Sequence, residues 1–221
     1  CAYFSSVGCE KWKTGCNNCP NLKSYPKSWF FDRSEEQWLI KKELFTKIPN
    51  ITLVTPSKWL YNLVEDSYLS HYYRVVIANA IDVEKFRIID DLEIREKYNI
   101  IDKKIVLAVA NVWSERKGLK YVVDAAEKLG EEYQVIVVGL NDKQLKQIPS
   151  SIIGIKRTNS VEELAKLYST ADVFINPTLE EMFGLTNIEA LACGTPVITF
   201  DTDGSVECVD SDTGLVVEQK N

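Results

Sequence analysis

From residue 105 to residue 199 the sequence alternates between short apolar runs and segments with helical periodicity. The first run, Ile105-Val-Leu-Ala-Val-Ala110, has no polar face, which is typical of a buried parallel strand. Similar runs follow at 134–138, 152–155, 173–176 and 197–199. Because strands and helices alternate, the pattern predicts an α/β fold with a doubly wound parallel sheet.

Three helical segments separate these strands. The segment 118–129 has apolar residues at helical spacing and is followed by Gly130, a common helix stop. Ser160-Val-Glu-Glu163 has the spacing of a capping box and predicts a helix that ends at Thr170. A third helix is predicted over 184–193. No G-x-G-x-x-G follows the first strand, so the dinucleotide fingerprint is absent.

Ligands of doubly wound sheets bind at the carboxyl ends of the strands. Segments 111–118, 139–142 and 177–184 each follow a predicted strand directly. We therefore expect these three segments to converge on one crevice.

Length and net charge limit the number of domains and the kinds of partner that the chain can have. A chain of 221 residues is enough for one large or two small domains. The net charge of −6 and the lack of a long basic run argue against nucleic acid as a partner. The sequence has no apolar segment long enough to span a bilayer and no signal-peptide pattern. It begins at Cys1 without a Met, so we expect a fragment of a longer protein.

The N-terminal region differs in composition from the rest. Four of the five Trp and four of the six Cys lie in the first 60 residues, whereas regular alternation begins near residue 75. This predicts a Cys- and Trp-rich region at 1–74 and the α/β domain at 75–221. The cysteines follow a C-x7-C-x6-C-x2-C pattern, and Cys9, Cys16 and Cys19 are candidate ligands of a structural zinc ion. Disulfides, which need an oxidising compartment, and plain buried cysteines are the alternatives.

Seven residues separate Glu181 from Glu189, which begins the run Glu189-Ala-Leu-Ala-Cys-Gly-Thr-Pro-Val197. Glu181 lies on a predicted loop before Phe183-Gly184, and Glu189 lies in the helix that Gly184 opens. A helix N-terminus has free N–H groups and a partial positive charge, so it favours a phosphate. The two carboxylates can then accept hydrogen bonds from hydroxyls on either side of that phosphate.

This segment resembles the E-x7-E signature of retaining GT-B glycosyltransferases, E-x-F-G-L…E-A-x-A-x-G-T-P-V, at nearly every position. The resemblance implies that 75–221 is the Rossmann-like, nucleotide-sugar-binding half of a GT-B fold. It implies that 1–74 is the tail of the N-terminal acceptor domain with a Cys-rich insert. The implied reaction transfers a hexose from a nucleoside diphosphate sugar to a saccharide or lipid-linked acceptor with retention of configuration. Bacterial surface polysaccharide synthesis is the expected setting, and no catalytic metal is implied.

The resemblance also implies roles for individual residues. Glu189 would accept hydrogen bonds from the ribose hydroxyls, and Glu181 would hold the transferred hexose. Lys117, directly before Gly118, would stabilise the diphosphate leaving group. Backbone N–H groups would bind the distal phosphate from Phe183, Gly184, Leu185 and Thr186. Outside such a motif, Glu189 and Lys117 would be ordinary solvated side chains.

The chain departs from the family pattern at one position. Many relatives have an Arg five residues before the Lys, where this chain has Val112. Arg116 is the nearest replacement, although adjacent side chains in an extended loop tend to diverge. His71 is the only histidine and does not match the family's catalytic His, so we expect a surface or boundary residue. Ser/His/Asp hydrolysis has no support because His71 lacks a nucleophile-elbow context.

Two alternatives stay open at this point: a donor-binding fragment without turnover, and a GT-B-fold sugar-nucleotide epimerase. The resemblance implies a cytoplasmic location at the inner face of the membrane. We expect any membrane association to be peripheral and to involve the N-terminal domain.

Overall fold

The computed structural model describes residues 9–23, 28, 30–90 and 92–219. The chain forms two compact units, Cys1–Ala78 and Asn79–Asn221. The predicted boundary between residues 74 and 75 lies inside a strand of the first unit, Tyr73–Val76. That strand pairs with Thr52–Thr55, and this pairing holds it in the first unit.

The first unit contains a small βαβ arrangement. A 3₁₀ helix at Glu10–Lys13 precedes helix α1 (Ser34–Thr46), strand β1 (Thr52–Thr55), helix α2 (Lys58–Glu65) and strand β2 (Tyr73–Val76). Strands β1 and β2 are parallel, so the chain needs a crossover between them, and α2 provides it. The Ser57 side chain caps α2 by accepting a hydrogen bond from the Leu60 N–H. The Trp38 indole donates to the carbonyl of buried Trp12 at 2.8 Å.

The second unit alternates strands with helices. In chain order its regular elements are α3 (Glu93–Lys97), β3 (Lys104–Val109), α4 (Leu119–Ala126), β4 (Tyr133–Val138), α5 (Asp142–Leu145), β5 (Ile152–Ile155), α6 (Val161–Thr170), β6 (Val173–Asn176), α7 (Leu185–Ala192), β7 (Val197–Phe200) and β8 (Gly214–Val217). Short 3₁₀ helices occur at Glu115–Lys117 and Ser205–Cys208.

The strands of the second unit form one parallel sheet in the order β5-β4-β3-β6-β7-β8. This arrangement confirms the predicted doubly wound α/β fold. From β3 the chain runs outward through β4 to β5 and then returns to β6 on the other side of β3. The strand order reverses between β3 and β6, and this switch point is where ligands of such sheets bind.

Two hydrophobic layers cover the two faces of this sheet. One layer contains Leu107, Ile136 and Phe174 from the strands and Leu167 from α6. The opposite layer contains alternating residues of the same strands, such as Val106 and Val137, with Val122 from α4. Because successive strand residues face opposite sides, strands covered on both faces consist of continuous apolar runs.

The cap of α6 differs from the predicted capping box. The Ser160 hydroxyl accepts a hydrogen bond from the Glu163 N–H at 3.0 Å, as expected. The Glu163 carboxylate, however, accepts from the backbone and side-chain N–H groups of Asn159, so the reciprocal half of the prediction was wrong. A complete capping box, which the sequence analysis missed, joins Asn141 and Gln144 at the start of α5.

In the described part of the chain, none of the helices combines the length and apolar character that a bilayer span requires.

Candidate functional site

The loops that follow β3 and β6 are bonded to each other at the switch point of the sheet. The carbonyl of Arg116 accepts a hydrogen bond from the N–H of Leu179 at 2.7 Å. Gly118 has a left-handed φ of 73° and lies so near the β6 loop that a Cβ atom would stand 2.0 Å from the Pro177 carbonyl oxygen. A residue without a side chain is therefore required where the two loops meet.

Two consecutive cations of the β3 loop pair with two consecutive carboxylates of the β6 loop. The Lys117 ammonium lies 2.5 Å from the Glu181 carboxylate, and the Arg116 guanidinium lies 3.3 Å from the Glu180 carboxylate. From the sequence, an extended loop in which adjacent side chains diverge was expected here. That expectation was wrong, because Glu115–Lys117 is a 3₁₀ helix from which both side chains reach the same neighbouring loop.

The backbone of Glu181 is held by a third loop, which follows β7. The Glu181 N–H donates to the Asp203 carboxylate at 3.3 Å, and the Glu181 carbonyl accepts from the Gly204 N–H at 2.9 Å. Burial raises the pKa of the Asp203 carboxyl. Asp203 was not predicted from the sequence, although the Asp203-Gly204 pair, which begins three residues after the end of β7, is a turn signal.

The N-terminus of α7 presents free backbone donors. Gly184 precedes the helix with a left-handed φ of 79°, a conformation that favours glycine. Within the described part of the chain, the hydrogen bonds include no acceptor for the N–H groups of Phe183, Gly184, Leu185 and Thr186. Four such donors and the helix dipole suit an anion at this end of α7.

A buried polar network fixes this N-terminus against β6 and β7. The Asn187 side chain is fully buried, donates to both the carbonyl and the hydroxyl of Ser205 at 3.1 Å, and accepts from Asn176 at 2.8 Å. The Ser205 hydroxyl lies 2.7 Å from the Thr199 hydroxyl. Buried polar groups that are satisfied in this way restrict the backbone to one arrangement. The sequence gives no signal for the network, because its four members come from four separate elements.

Glu189 lies in α7 and contacts α6. Its carboxylate is half-buried and accepts a hydrogen bond from the Tyr168 hydroxyl at 2.9 Å. Burial raises the pKa of the Glu189 carboxyl, and the hydrogen bond from Tyr168 partly offsets that effect. The residue is therefore not a freely solvated helix glutamate.

The two C-terminal cysteines have different surroundings. Cys193 is buried. Cys208 is only partly buried, and its thiol donates to the carbonyl of Phe183 at 2.8 Å. Burial raises the pKa of the Cys208 thiol to about 11, so it is a neutral donor that supports the loop before α7.

The N-terminal candidates lie in the other unit. Cys16 is buried, and burial raises the pKa of its thiol, whereas Cys9 and Cys19 are partly exposed. Among residues 9–23, 28, 30–90 and 92–219, no three His, Cys, Asp or Glu side chains form a group that could hold a metal ion. Cys1 lies outside the described residues. His71 is exposed, with its ring 4.0 Å from that of Tyr72.

The structural zinc ion stays a prediction that elemental analysis can decide. If Cys9, Cys16 and Cys19 hold zinc, protein purified without added metal should contain about one equivalent, because thiolates bind zinc as deprotonated ligands. Less than about a tenth of an equivalent would leave these cysteines as plain core residues. A Cys16→Ser variant is the control, since it should lose the metal while keeping a similar volume.

Residues 103–221 match the sequence model of a family described as glycosyl transferases group 1. The match covers more than half of the chain. It includes both loops of the switch point and the whole of α7.

A putative colanic acid biosynthesis glycosyl transferase, WcaC of Escherichia coli K12, is similar to the whole chain. The two sequences are 25% identical over 223 residues, which is 100% of this chain and 53% of WcaC. The chain therefore spans about half the length of this curated relative.

Solved structures share the fold. The sucrose-phosphate synthase of Thermosynechococcus elongatus superimposes with a TM-score of 0.70 at 21% identity, over 91% of this chain and 53% of the synthase. Anabaena HepE, solved in complex with UDP and glucose, gives a TM-score of 0.69 at 17% identity, over 85% of this chain and 54% of HepE. At these identities the likeness is evidence for the fold alone.

Proposed function

The chain belongs to the family of glycosyl transferases group 1, and we propose that it binds the nucleoside diphosphate sugar of a retaining glycosyltransferase. The proposed reaction moves a hexose to a saccharide or lipid-linked acceptor in the synthesis of a surface polysaccharide. The relative WcaC, named for colanic acid biosynthesis, supports the polysaccharide setting. HepE, solved with UDP and glucose, supports the class of donor.

One observation carries the proposal: anion-binding and hydroxyl-binding groups occur together at the switch point. Lys117 from the β3 loop pairs with Glu181 from the β6 loop, next to the free N–H groups at the start of α7. A diphosphate matches the cation and the N–H groups, whereas sugar hydroxyls match the carboxylates. A nucleoside diphosphate sugar combines both kinds of group in one molecule.

The ion pair between Lys117 and Glu181 suggests how the site changes when the donor binds. The ammonium has three donors, so it can contact a phosphate oxygen while it keeps or loosens its bond to Glu181. Glu181 then accepts a hexose hydroxyl and orients the sugar. Hydrogen bonds to Asp203 and Gly204 hold the backbone of Glu181. The Cα of Glu181 therefore stays in place while its side chain exchanges Lys117 for the hexose hydroxyl.

The proposed chemistry needs no catalytic metal. The bond between the anomeric carbon and the diphosphate oxygen breaks, and the electron pair leaves with the diphosphate. The acceptor hydroxyl forms the new bond on the same face, and its proton passes to the leaving phosphate. Lys117 and the N–H groups of α7 stabilise the charge that develops on the phosphate, where fixed donors lower the barrier most.

A thermal-shift screen of nucleoside diphosphate sugars tests this function. A donor present at 100 times its Kd should stabilise the folded protein by about 2.7 kcal/mol and raise its Tm. The rise should shrink strongly in Lys117→Ala and persist in Lys120→Ala, which removes an exposed cation from the same region. No rise with any UDP, GDP, ADP or dTDP sugar would refute the proposal.

Glu189→Ala should weaken donor binding by about 1–3 kcal/mol, because the ribose hydroxyls would lose a charged acceptor. The loss should also appear with the nucleoside diphosphate alone, which has the ribose but no hexose, in a calorimetric titration. Glu162→Ala, which removes an exposed glutamate from α6, is the control for the change in net charge. Unchanged affinity in Glu189→Ala would exclude the ribose role.

A further inference from the structure

Tyr168 is a buried tyrosine with a polar partner on the neighbouring helix. Its side chain is 0% exposed, and its ring packs edge to face against Phe174, with 5.4 Å between the centroids, and against Phe86, with 6.2 Å. A phenylalanine would suit these apolar surroundings equally well, because a buried hydroxyl costs free energy unless it forms a hydrogen bond. The hydroxyl forms that bond with the Glu189 carboxylate, at 2.9 Å.

The backbone of Tyr168 is also bonded to the segment that follows α7. The Thr195 hydroxyl, which is buried, donates to the Tyr168 carbonyl at 2.5 Å. One residue of α6 therefore contacts α7 at Glu189 and again beyond the C-terminus of that helix. Because the ring and the backbone are both fixed, the position of the phenolic oxygen is fixed as well.

The Tyr168 hydroxyl donates its hydrogen bond to one of the two oxygens of the Glu189 carboxylate. Its partner is Oε2, and the hydrogen bonds among the described residues include no partner for Oε1. A hydrogen bond at one carboxylate oxygen restricts the side chain to one rotamer. The direction in which the other oxygen points is then fixed as well. Oε1 is then available to accept hydrogen bonds from ligand hydroxyls.

We propose that Tyr168 is a positioning residue for nucleotide recognition, and that its hydroxyl holds the Glu189 carboxylate ionised and oriented toward the ribose hydroxyls. The inference rests on the proposed function, since it assumes that Glu189 binds the ribose. It adds a residue that touches no ligand and acts through Glu189.

Two features of its surroundings change the pKa of the Glu189 carboxyl in opposite directions. Burial raises the pKa of the carboxyl, and the hydrogen bond from Tyr168 lowers it, because that bond favours the charged form. Cys193, four residues further along the chain, is a titratable neighbour of this carboxylate; burial raises the pKa of its thiol, and the charge of Glu189 raises it further. Glu189 accepts ribose hydrogen bonds best when ionised, so affinity should fall as the pH falls through its pKa.

The test is a calorimetric pH profile of donor binding in Tyr168→Phe, which removes one oxygen atom and keeps the ring. The probe is the nucleoside diphosphate sugar with the largest Tm rise in the screen. Its diphosphate lacks the terminal phosphate group of a free nucleoside diphosphate, which titrates at about pH 6. At neutral pH the affinity should be about tenfold lower than in the wild type. The pH at which affinity falls to half its maximum should also be higher than in the wild type, because the pKa of Glu189 rises further when the hydrogen bond is lost. Tyr133→Phe, at the opposite end of β4 from the crevice, is the control.

Glu189→Gln provides the second measurement. Its affinity should lack this pH dependence, and adding Tyr168→Phe should then cost little, because no carboxylate is left to orient. A Tyr168→Phe profile that coincides with that of the wild type would overturn the inference. An equal loss in the Glu189→Gln background would do the same, because it would show a purely structural role. If the wild type bound no nucleotide sugar at any pH, the proposed function itself would fail, which is a distinct result.

Discussion

Glu181→Gln should abolish most hexose transfer by the complete polypeptide and leave nucleoside diphosphate affinity unchanged or slightly higher. We expect a fall in kcat of about 100-fold or more, the scale seen when a preorganised electrostatic contact at the reacting centre is removed. Nucleoside diphosphate affinity should hold because the substitution releases the Lys117 ammonium from its carboxylate partner at 2.5 Å and frees it for the phosphate. Steady-state kinetics with acceptor and calorimetry with the nucleoside diphosphate measure the two effects separately.

Glu180→Gln is the matched control for this variant. It removes the adjacent carboxylate of the same loop, whose partner is the half-exposed guanidinium of Arg116. Transfer should fall far less than in Glu181→Gln, because a solvent-exposed ion pair contributes little. If Glu181→Gln weakened nucleoside diphosphate and sugar-nucleotide binding equally, the division of roles between Glu181 and Glu189 would be wrong.

Gly118→Ala should lower the free energy of unfolding by about 2 kcal/mol or more. Two effects add: alanine is strained at a left-handed φ, and its Cβ collides with the backbone of the neighbouring loop. The new Cβ would lie 2.0 Å from the Pro177 carbonyl oxygen, so the β3 and β6 loops must separate. Lys117, one residue earlier, would move with its loop, and donor affinity should fall as well. Urea denaturation measures the first effect, and calorimetry measures the second.

Gly130→Ala is the control for the added methyl group. The atoms nearest to the Cβ there would belong to the flexible end of the Glu132 side chain, which can rotate away. Its unfolding free energy should stay within about 0.5 kcal/mol of the wild type, as is usual for surface changes. A Gly118→Ala variant as stable as Gly130→Ala would contradict the close approach of the two loops.

The sheet was predictable because its central strands are buried on both faces. Strands β3 and β4 begin and end within one residue of the predicted ranges, 105–110 and 134–138, because continuous apolar runs are the direct signature of such burial. Strand β8 was missed: it lies at the sheet edge, and Leu215, Val216 and Val217 are exposed, so they follow no core-facing pattern. The first unit was also missed, because its two strands are only four residues long and partly exposed.

The residues of the candidate site were predictable one at a time, but their partners were not. The E-x7-E signature indicated Glu181 and Glu189, and the family resemblance of the segment 114–118 indicated Lys117. The pairing of Lys117 with Glu181, which are 64 residues apart, follows from the strand order, which places β3 beside β6. Likewise, Tyr168 and Glu189 meet because α6 packs against α7, and no local pattern encodes that contact.

Backbone amide chemical shifts during a titration provide the most direct test of the central claim, that a nucleoside diphosphate sugar binds at the switch point. The ¹⁵N-labelled protein would be titrated with the nucleotide sugar that gives the largest Tm rise. We predict saturable shifts concentrated at the amides of Gly118, Phe183, Gly184 and Leu185, which surround the proposed phosphate site. The same titration of Lys117→Ala should require a higher ligand concentration. Saturable shifts confined to other segments, or none at these four amides, would contradict the account.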